Sequence, residues 1–318
     1  MSEDKTSGES RASLLERAAQ RLETPARPGA KPMPPAAAPR PSAQTAKAPA
    51  TPPAPAADAA AAPRAISVVE ELPTARRRGV IDLPELRDLG YVVPDSPATA
   101  TAEEFRIIKR QLLVNAMARG DNAIHNGNLI LVCSSQPNEG KTFCAVNLAL
   151  SIASERDVTV LLVDADFAKP EVLSTLGVEG GKGLIDVVAD PNLDLADCLI
   201  RTNIENLSVL PAGRQHNLTT ELLASERMGD MIEEIAKRYP DRIIIFDSPP
   251  ALASSAASVL AMHVGQVMFV VEAESTRETE IRDGLSMMSP CEHVQLVLNK
   301  VRYAGIGRRF GTYYGYGS

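Results

Sequence analysis

One stretch near the middle constrains this chain more than any other. The apolar run Leu129–Cys133 leads directly into Ser134-Ser135-Gln136-Pro137-Asn138-Glu139-Gly140-Lys141-Thr142, and a helical pattern over Lys141–Ser154 begins at once. The spacing is that of the phosphate-binding loop G-x-x-x-x-G-K-[ST], with its first glycine replaced by Ser135. Chemistry explains the residue types. Amides of such a loop and of the helix N-terminus point at an anion, and the helix dipole favours negative charge there. Gly140 lets the backbone approach closely. Lys141 is placed to reach the β- and γ-phosphates of a nucleotide, and the Thr142 hydroxyl to take a place on Mg²⁺. Ser135, Pro137, Asn138, Glu139 and Phe143 complete the stretch expected to contact ATP. A chance G-K-T is common; one set between a buried strand and a helix is much less so.

The rest of the chain supplies the setting such a loop needs. Strand candidates Val158–Val163, Leu207–Leu210, Arg242–Phe246, Gln266–Val271 and Val294–Leu298 alternate with helical stretches at Leu184–Ala189, Thr219–Lys237, Ala253–Met262 and Arg277–Met288. A further helix is expected from about Thr101 to Ala118. Apolar strands without a clean polar alternation are buried on both faces, which means a parallel sheet covered by helices. The expected fold is α/β and doubly wound.

Two strands end in acid. Val160-Leu161-Leu162-Val163 runs into Asp164-Ala165-Asp166, and Ile243-Ile244-Ile245-Phe246 runs into Asp247-Ser248-Pro249-Pro250. Ligands of open α/β sheets bind beyond the carboxyl ends of the strands, so all three carboxylates belong near the phosphates. Asp247 reads as the acid that holds Mg²⁺ directly or through water. The competing readings are a turn-former before two prolines for Asp247 and helix capping for Asp164 and Asp166.

Outside this core the composition changes. Half of the 24 prolines precede residue 65, interleaved with alanine. Such a segment cannot bury enough apolar surface to offset its ordering entropy. The expected organisation is a short amphipathic helix within 1–24, a disordered linker over 25–65, an irregular lead-in over 66–100, a catalytic domain over 101–302 and a flexible tail over 303–318. In the first segment Ser13 and Glu16 form a capping box, ahead of an apolar face of Leu14, Leu15, Ala18, Ala19 and Leu22. The net charge of −7 leaves no basic excess to neutralise nucleic-acid phosphates. Cys133, Cys144, Cys198 and Cys291 show no C-x-x-C spacing, and His125, His216, His263 and His293 no metal-ligand spacing. No apolar run approaches the ~20 residues that cross a bilayer, and the polar start at Ser2-Glu3-Asp4 does not resemble a secretion signal. The expectation is a cytoplasmic protein held at the membrane, if at all, by something else.

Taken together, S-S-Q-P-N-E-G-K-T, L-L-V-D-A-D and I-I-I-F-D-S-P-P resemble the bacterial tyrosine kinases from about Thr101 to the end. That family sets its phosphate loop and two acidic motifs on a P-loop fold of the MinD/ParA-like type. Gly311-Thr312-Tyr313-Tyr314-Gly315-Tyr316-Gly317-Ser318 looks like the family's tyrosine cluster, and half of the chain's six tyrosines fall there. The Ser13 helix, the Pro/Ala linker and Glu103-Glu104-Phe105-Arg106-Ile107-Ile108-Lys109-Arg110 look most like the exosortase-associated autokinases of exopolysaccharide gene clusters.

The resemblance implies an ATP- and Mg²⁺-dependent protein-tyrosine autokinase that modifies Tyr313, Tyr314 and Tyr316 of a neighbouring copy. It implies Asp164 as the carboxylate that orients or deprotonates the tyrosine, with Asp166 and Asp247 serving the metal. Asn299 is implied to touch the nucleotide base. Glu103, Arg106 and Lys109 occupy the E-x-x-R-x-x-R oligomerisation motif, with Lys109 where the family has an arginine; the two are not equivalent at a bidentate contact. The implied partners are further copies of itself, an activating polysaccharide co-polymerase (chain-length determinant) of the inner membrane and a cognate tyrosine phosphatase, with no nucleic acid. Two other readings remain. A positioning ATPase of the MinD/ParA type would carry a second loop lysine where this chain has Gln136. A non-catalytic ATP-sensing adaptor would bind nucleotide without turnover.

Overall fold

A computed structural model of the chain describes residues 77–94, 99–214, 219–239 and 241–302. The N-terminal amphipathic segment, the Pro/Ala linker, and Tyr313, Tyr314 and Tyr316 lie outside the described residues. In chain order the elements are β1 (Arg78–Gly79), α1 (Leu83–Asp88), α2 (Ala100–Ala116), β2 (Leu129–Ser134), α3 (Lys141–Ala153), β3 (Thr159–Asp164), α4 (Val172–Leu176), α5 (Leu184–Ala189), α6 (Leu195–Cys198), β4 (Ile200–Thr202), β5 (Leu207–Leu210), α7 (Thr219–Leu223), α8 (Glu226–Arg238), β6 (Arg242–Asp247), α9 (Ala256–Ala261), β7 (Gln266–Glu272), α10 (Glu278–Met287) and β8 (Val294–Asn299).

The eight strands form one sheet in the order β1-β4-β5-β3-β6-β2-β7-β8. Every pairing is parallel except β4 with β5. The central strands are buried along their length, and their side chains divide by parity between two cores. Leu129, Leu131, Leu161, Val163, Ile244 and Phe246 face one core; Ile130, Val132, Val160, Leu162, Ile243 and Ile245 face the other. This two-sided burial is what the unbroken apolar runs require, and the α/β, mostly parallel fold read from them is the one observed.

The differences are local. The single helix expected over Thr219–Lys237 is two, because Ser225 caps a new start: its hydroxyl accepts from the Met228 amide at 3.3 Å. The helix expected from Ala253 begins at Ala256, since the amides of Ala253 and Ser254 turn back onto the Pro250 carbonyl. The lead-in is tied into the domain from residue 77 on. Ile81, Leu86 and Val93 join the same core as Ile130 and Val132, and the Val92 amide donates to Asn147 of α3 at 2.7 Å. No helix among the described residues is long and apolar enough to cross a membrane.

Candidate active site

Register brings the acids together. In the parallel pairing of β3 with β6, Asp164 and Asp247 are direct partners, and Val132, two residues before the end of β2, flanks Asp247 on its other side. The loop leaving β2 therefore rises beside both carboxylates. It turns through two left-handed residues, Asn138 (φ 67°) and Gly140 (φ 91°), and delivers the chain into α3. α3 has no side-chain cap and no acidic residue in its first turn. Its orphan amides and positive dipole end are thus free for an anion, as the phosphate-loop reading requires.

The charges converge at that helix start. Lys141 Nζ lies 2.8 Å from Asp166 Oδ2 and 4.0 Å from Asp247 Oδ1, all three side chains being nearly or fully buried. Burial works to lower the Lys141 ammonium, but the charges of Asp247 and Asp166 outweigh it and hold the pKa above its usual value. Asp247 is fully buried, and neither carboxylate oxygen has a hydrogen-bond donor. Burial pushes its pKa up to about 6, against the pull of Lys141. Asp164 is pushed up to about 7, by burial first and the neighbouring Asp247 charge second. Its oxygens accept from the amides of Asp166 at 3.3 Å and Val172 at 3.1 Å, which fixes the orientation of the carboxyl.

A buried carboxylate with two bare oxygens is an unfinished coordination shell. Mg²⁺ is usually held by one or two carboxylates completed with phosphate oxygens and water. Asp247, Asp166 and the Thr142 hydroxyl fit that donor set. Among the described residues no group of three or more His, Cys, Asp or Glu could hold a metal; phosphate oxygens and water would complete the set.

The loop is held from elements far away in sequence. Glu139 is buried and its carboxylate bridges two groups, accepting from the Gln136 amide at 2.8 Å and from the Thr276 hydroxyl. Ser135 donates its hydroxyl to the Glu280 carbonyl of α10 at 3.0 Å. Asn299 donates to the Glu139 carbonyl at 2.9 Å, and Lys300 to the Asn138 carbonyl at 2.6 Å while pairing with Glu272 at 3.1 Å. Sequence reading missed Thr276, Glu280 and Lys300. Nothing local marks them, because Thr276 and Glu280 reach the loop from the segment and helix after β7, and Lys300 from beyond β8.

Pro137 lies in the loop, and the Phe143 ring packs tilted, at 47°, against that of Tyr91 with centroids 4.9 Å apart. On α2, Glu103 and Arg106 pair with each other on the surface. Lys109 is buried, donating to the Ser151 carbonyl at 2.7 Å and pairing with Glu155 at 2.6 Å at the end of α3. Burial pushes the thiols of Cys133 and Cys144 up to about 11 and 12, so these cysteines beside the loop pack as small apolar groups.

Residues 128–290 match the profile of the AAA domain family. A tyrosine-protein kinase, Wzc, of Salmonella typhimurium is 29% identical over 223 residues, covering 70% of this chain and 30% of that protein. The putative tyrosine-protein kinase CapB of Staphylococcus aureus is 26% identical over 227 residues, covering 71% of this chain and 94% of that protein. The solved kinase domain of VpsO superposes with a TM-score of 0.54 at 27% identity, covering 69% of this chain and 98% of that domain. The chain thus spans less than a third of the length of the Salmonella relative it matches. The resemblance to bacterial tyrosine kinases holds at the level of these names; none of them specifies the exosortase-associated group.

Proposed function

The chain belongs to the AAA domain family, and on that premise we propose that it is an ATP-dependent protein-tyrosine autokinase, one copy modifying Tyr313, Tyr314 and Tyr316 of another. One observation carries the reading. An uncapped helix N-terminus bearing Lys141 faces three buried carboxylates, one of which, Asp247, has only the Lys141 ammonium 4.0 Å away and the neighbouring Thr142 hydroxyl to answer its charge. That is a site for a terminal phosphate and its metal, with an acid to spare.

Each side chain has a task in this scheme. The loop amides and Lys141 bind the β- and γ-phosphates of ATP and stabilise charge as it redistributes. Thr142, Asp247 and Asp166 would hold Mg²⁺, whose charge neutralises the phosphate oxygens. Asp164 is the proton acceptor. Its carboxyl is oriented by two amides, and a pKa near neutrality suits a group that takes a proton late in the transfer. The tyrosine oxygen forms a bond to the γ-phosphorus as the bond to the β-phosphate oxygen breaks. ADP leaves, and the phenolic proton passes to Asp164.

The tail suits the acceptor role. It contains Arg308 and Arg309 and no acidic residue, so it is attracted to an acidic site until each added phosphate brings about −1.5 to −2 charge. The relatives named as tyrosine-protein kinases favour tyrosine as the acceptor over water. By the same resemblance we assign the protein to exopolysaccharide synthesis or export, in the exosortase-associated group. It would work as an oligomer at the cytoplasmic side of the inner membrane, recruited by a polysaccharide co-polymerase and reset by a tyrosine phosphatase.

The test is to incubate the full chain with ATP and Mg²⁺ and map phosphate by mass spectrometry. Phosphate is expected on Tyr313, Tyr314 and Tyr316, and absent in Lys141→Met. Hydrolysis to free phosphate with those tyrosines unmodified would replace the kinase by a positioning ATPase.

A further inference from the structure

Beside the phosphate site lies a second concavity that the scheme above does not use. It has a volume of about 290 Å³ and is built from α1, the first turn of α3 and α4. The size is near the lower limit for small-ligand sites, ~300 Å³, which is room for one aromatic side chain and little more. Its floor is apolar and aromatic, from Leu86, Tyr91 and Phe143, and Leu89 stands exposed among its lining residues. The charged residues among its lining are Asp82 and Glu85, both acidic and exposed.

Four connections tie this hollow to the reaction centre. Phe143 is the residue after Thr142, so its ring leaves the same helical turn that carries the metal hydroxyl. α4 begins at Val172, whose amide holds Asp164. The Tyr91 ring is braced through the next residue, since Val92 donates to Asn147 and Asn147 in turn donates to the Phe143 carbonyl at 2.9 Å. Glu171 acts on both sides: its charge contributes to the raised pKa values of Tyr91, in the hollow, and of Lys141 and Asp247, in the phosphate site, although burial is the first influence on each of the three.

We infer that this hollow is the docking subsite for the acceptor segment of a second copy, taking the Phe310 ring against Tyr91 and Phe143 and pairing Arg308 and Arg309 with Asp82 and Glu85. The inference rests on the kinase reading for its purpose but on complementarity for its content. A hollow lined by Leu86, Tyr91 and Phe143 on one hand and by Asp82, Glu85, Ser174 and Thr175 on the other meets a segment whose sequence is Arg308-Arg309-Phe310, two cations followed by an aromatic ring. Spacing agrees. Tyr313 follows Phe310 by three residues, which span about 10 Å when extended, and the hollow and the phosphate site share neighbouring residues of one helical turn. Docking the ring there carries the first tyrosine of the cluster to the γ-phosphate. The same anchor leaves Tyr314 and Tyr316 for later turns, when the chain slides or rebinds.

The experiment uses the full chain carrying Mg²⁺ and a non-hydrolysable ATP analogue, with a fluorescent peptide of residues 303–318 as the probe. The peptide is expected to bind, and Glu85→Arg to weaken it about tenfold, the scale of a close intermolecular charge pair, with affinity for the analogue unchanged. A peptide with Arg308→Glu and Arg309→Glu should bind the wild type poorly and recover on Glu85→Arg. Phe310→Ala in the peptide should weaken binding with no change in its salt dependence. A peptide that does not bind, or binds Glu85→Arg as well as wild type, overturns the docking subsite. Initial rates with ATP separate the two readings. Binding lost in Glu85→Arg but no phosphate on the wild-type peptide removes the kinase and keeps the subsite; phosphate transferred at a rate indifferent to Glu85→Arg does the reverse.

Discussion

Asn299, the last residue of β8, donates its side-chain amide to the Glu139 carbonyl inside the phosphate loop, 2.9 Å away and 160 residues earlier in the chain. The edge strand of the sheet thereby clamps the loop whose amides are to receive phosphate. The same amide nitrogen lies where a side chain on Gly140 would have to go: a Cβ there would sit 2.2 Å from it.

Asn299→Ala should therefore weaken nucleotide binding without unfolding the protein. One hydrogen bond to a loop carbonyl contributes about 1 kcal/mol, so the Kd for MgADP should rise about fivefold by calorimetric titration. An unchanged Kd would mean that the loop holds its shape without β8.

Gly140→Ala combines two faults. The residue sits at φ 91°, which L side chains rarely adopt, and its Cβ meets the Asn299 amide. Nucleotide binding should be lost, and the double variant Gly140→Ala with Asn299→Ala should recover only the steric part. Full recovery in the double variant would show that backbone conformation at this position is not limiting.

Asp247 makes stability depend on pH with a definite sign. Its folded pKa, about 6, lies above the ordinary carboxylate value near 3.8, so the native state binds its proton more tightly than the unfolded chain does. The corresponding stability is complete below the unfolded pKa and is lost as pH rises from about 4 through about 6. In the nucleotide-free protein Asp247→Asn should therefore melt higher than wild type at pH 8, and the gap should close towards pH 4. Two pKa units correspond to roughly 3 kcal/mol at most, or a melting shift of about 5–10 °C for a domain of this size. A variant that melts lower at pH 8 would show that the attraction of Lys141 outweighs the cost of burying the Asp247 charge. Binding of Mg²⁺ with nucleotide should be lost in it at every pH.

Lys109 and Arg106 share a helix but should behave differently. Lys109 is buried against the end of α3, bonded to the Ser151 carbonyl and Glu155; Lys109→Ala should lower unfolding free energy by about 2 kcal/mol in urea, the scale for a buried bond to a charged group. Arg106 is exposed and pairs only with Glu103 among the described residues, so Arg106→Ala should change stability by less than about 0.5 kcal/mol. Its effect, if the helix is an interface, belongs in the association constant, read by sedimentation at several concentrations. Equal losses of stability in both variants would refute the distinction.

Much of the architecture could be read before any coordinates. Ile243–Phe246 and Leu129–Cys133 have no polar alternation, and only a strand covered on both faces tolerates that, so the parallel sheet and the site at its carboxyl edge follow. The strand–loop–helix passage through Gly140-Lys141-Thr142 is local chemistry, complete within a dozen residues. What escaped was short or capped. β4, α4 and α6 have between three and five residues, too few for a period to declare itself, and Ser225 divides a helix whose apolar pattern runs on across the break.

The chain by itself determined its fold class, the phosphate loop and the identity of the three acids, because strand burial, helix capping and loop spacing are set by neighbours within a few residues. Only tertiary structure decided that Asp164 and Asp247 stand in register, that Lys109 is spent on the end of α3, that Asn299 grips the loop, and that α1, α3 and α4 enclose a hollow. Those outcomes depend on which strands pair and how helices cross, through contacts between residues up to 160 positions apart. No window of sequence contains both partners.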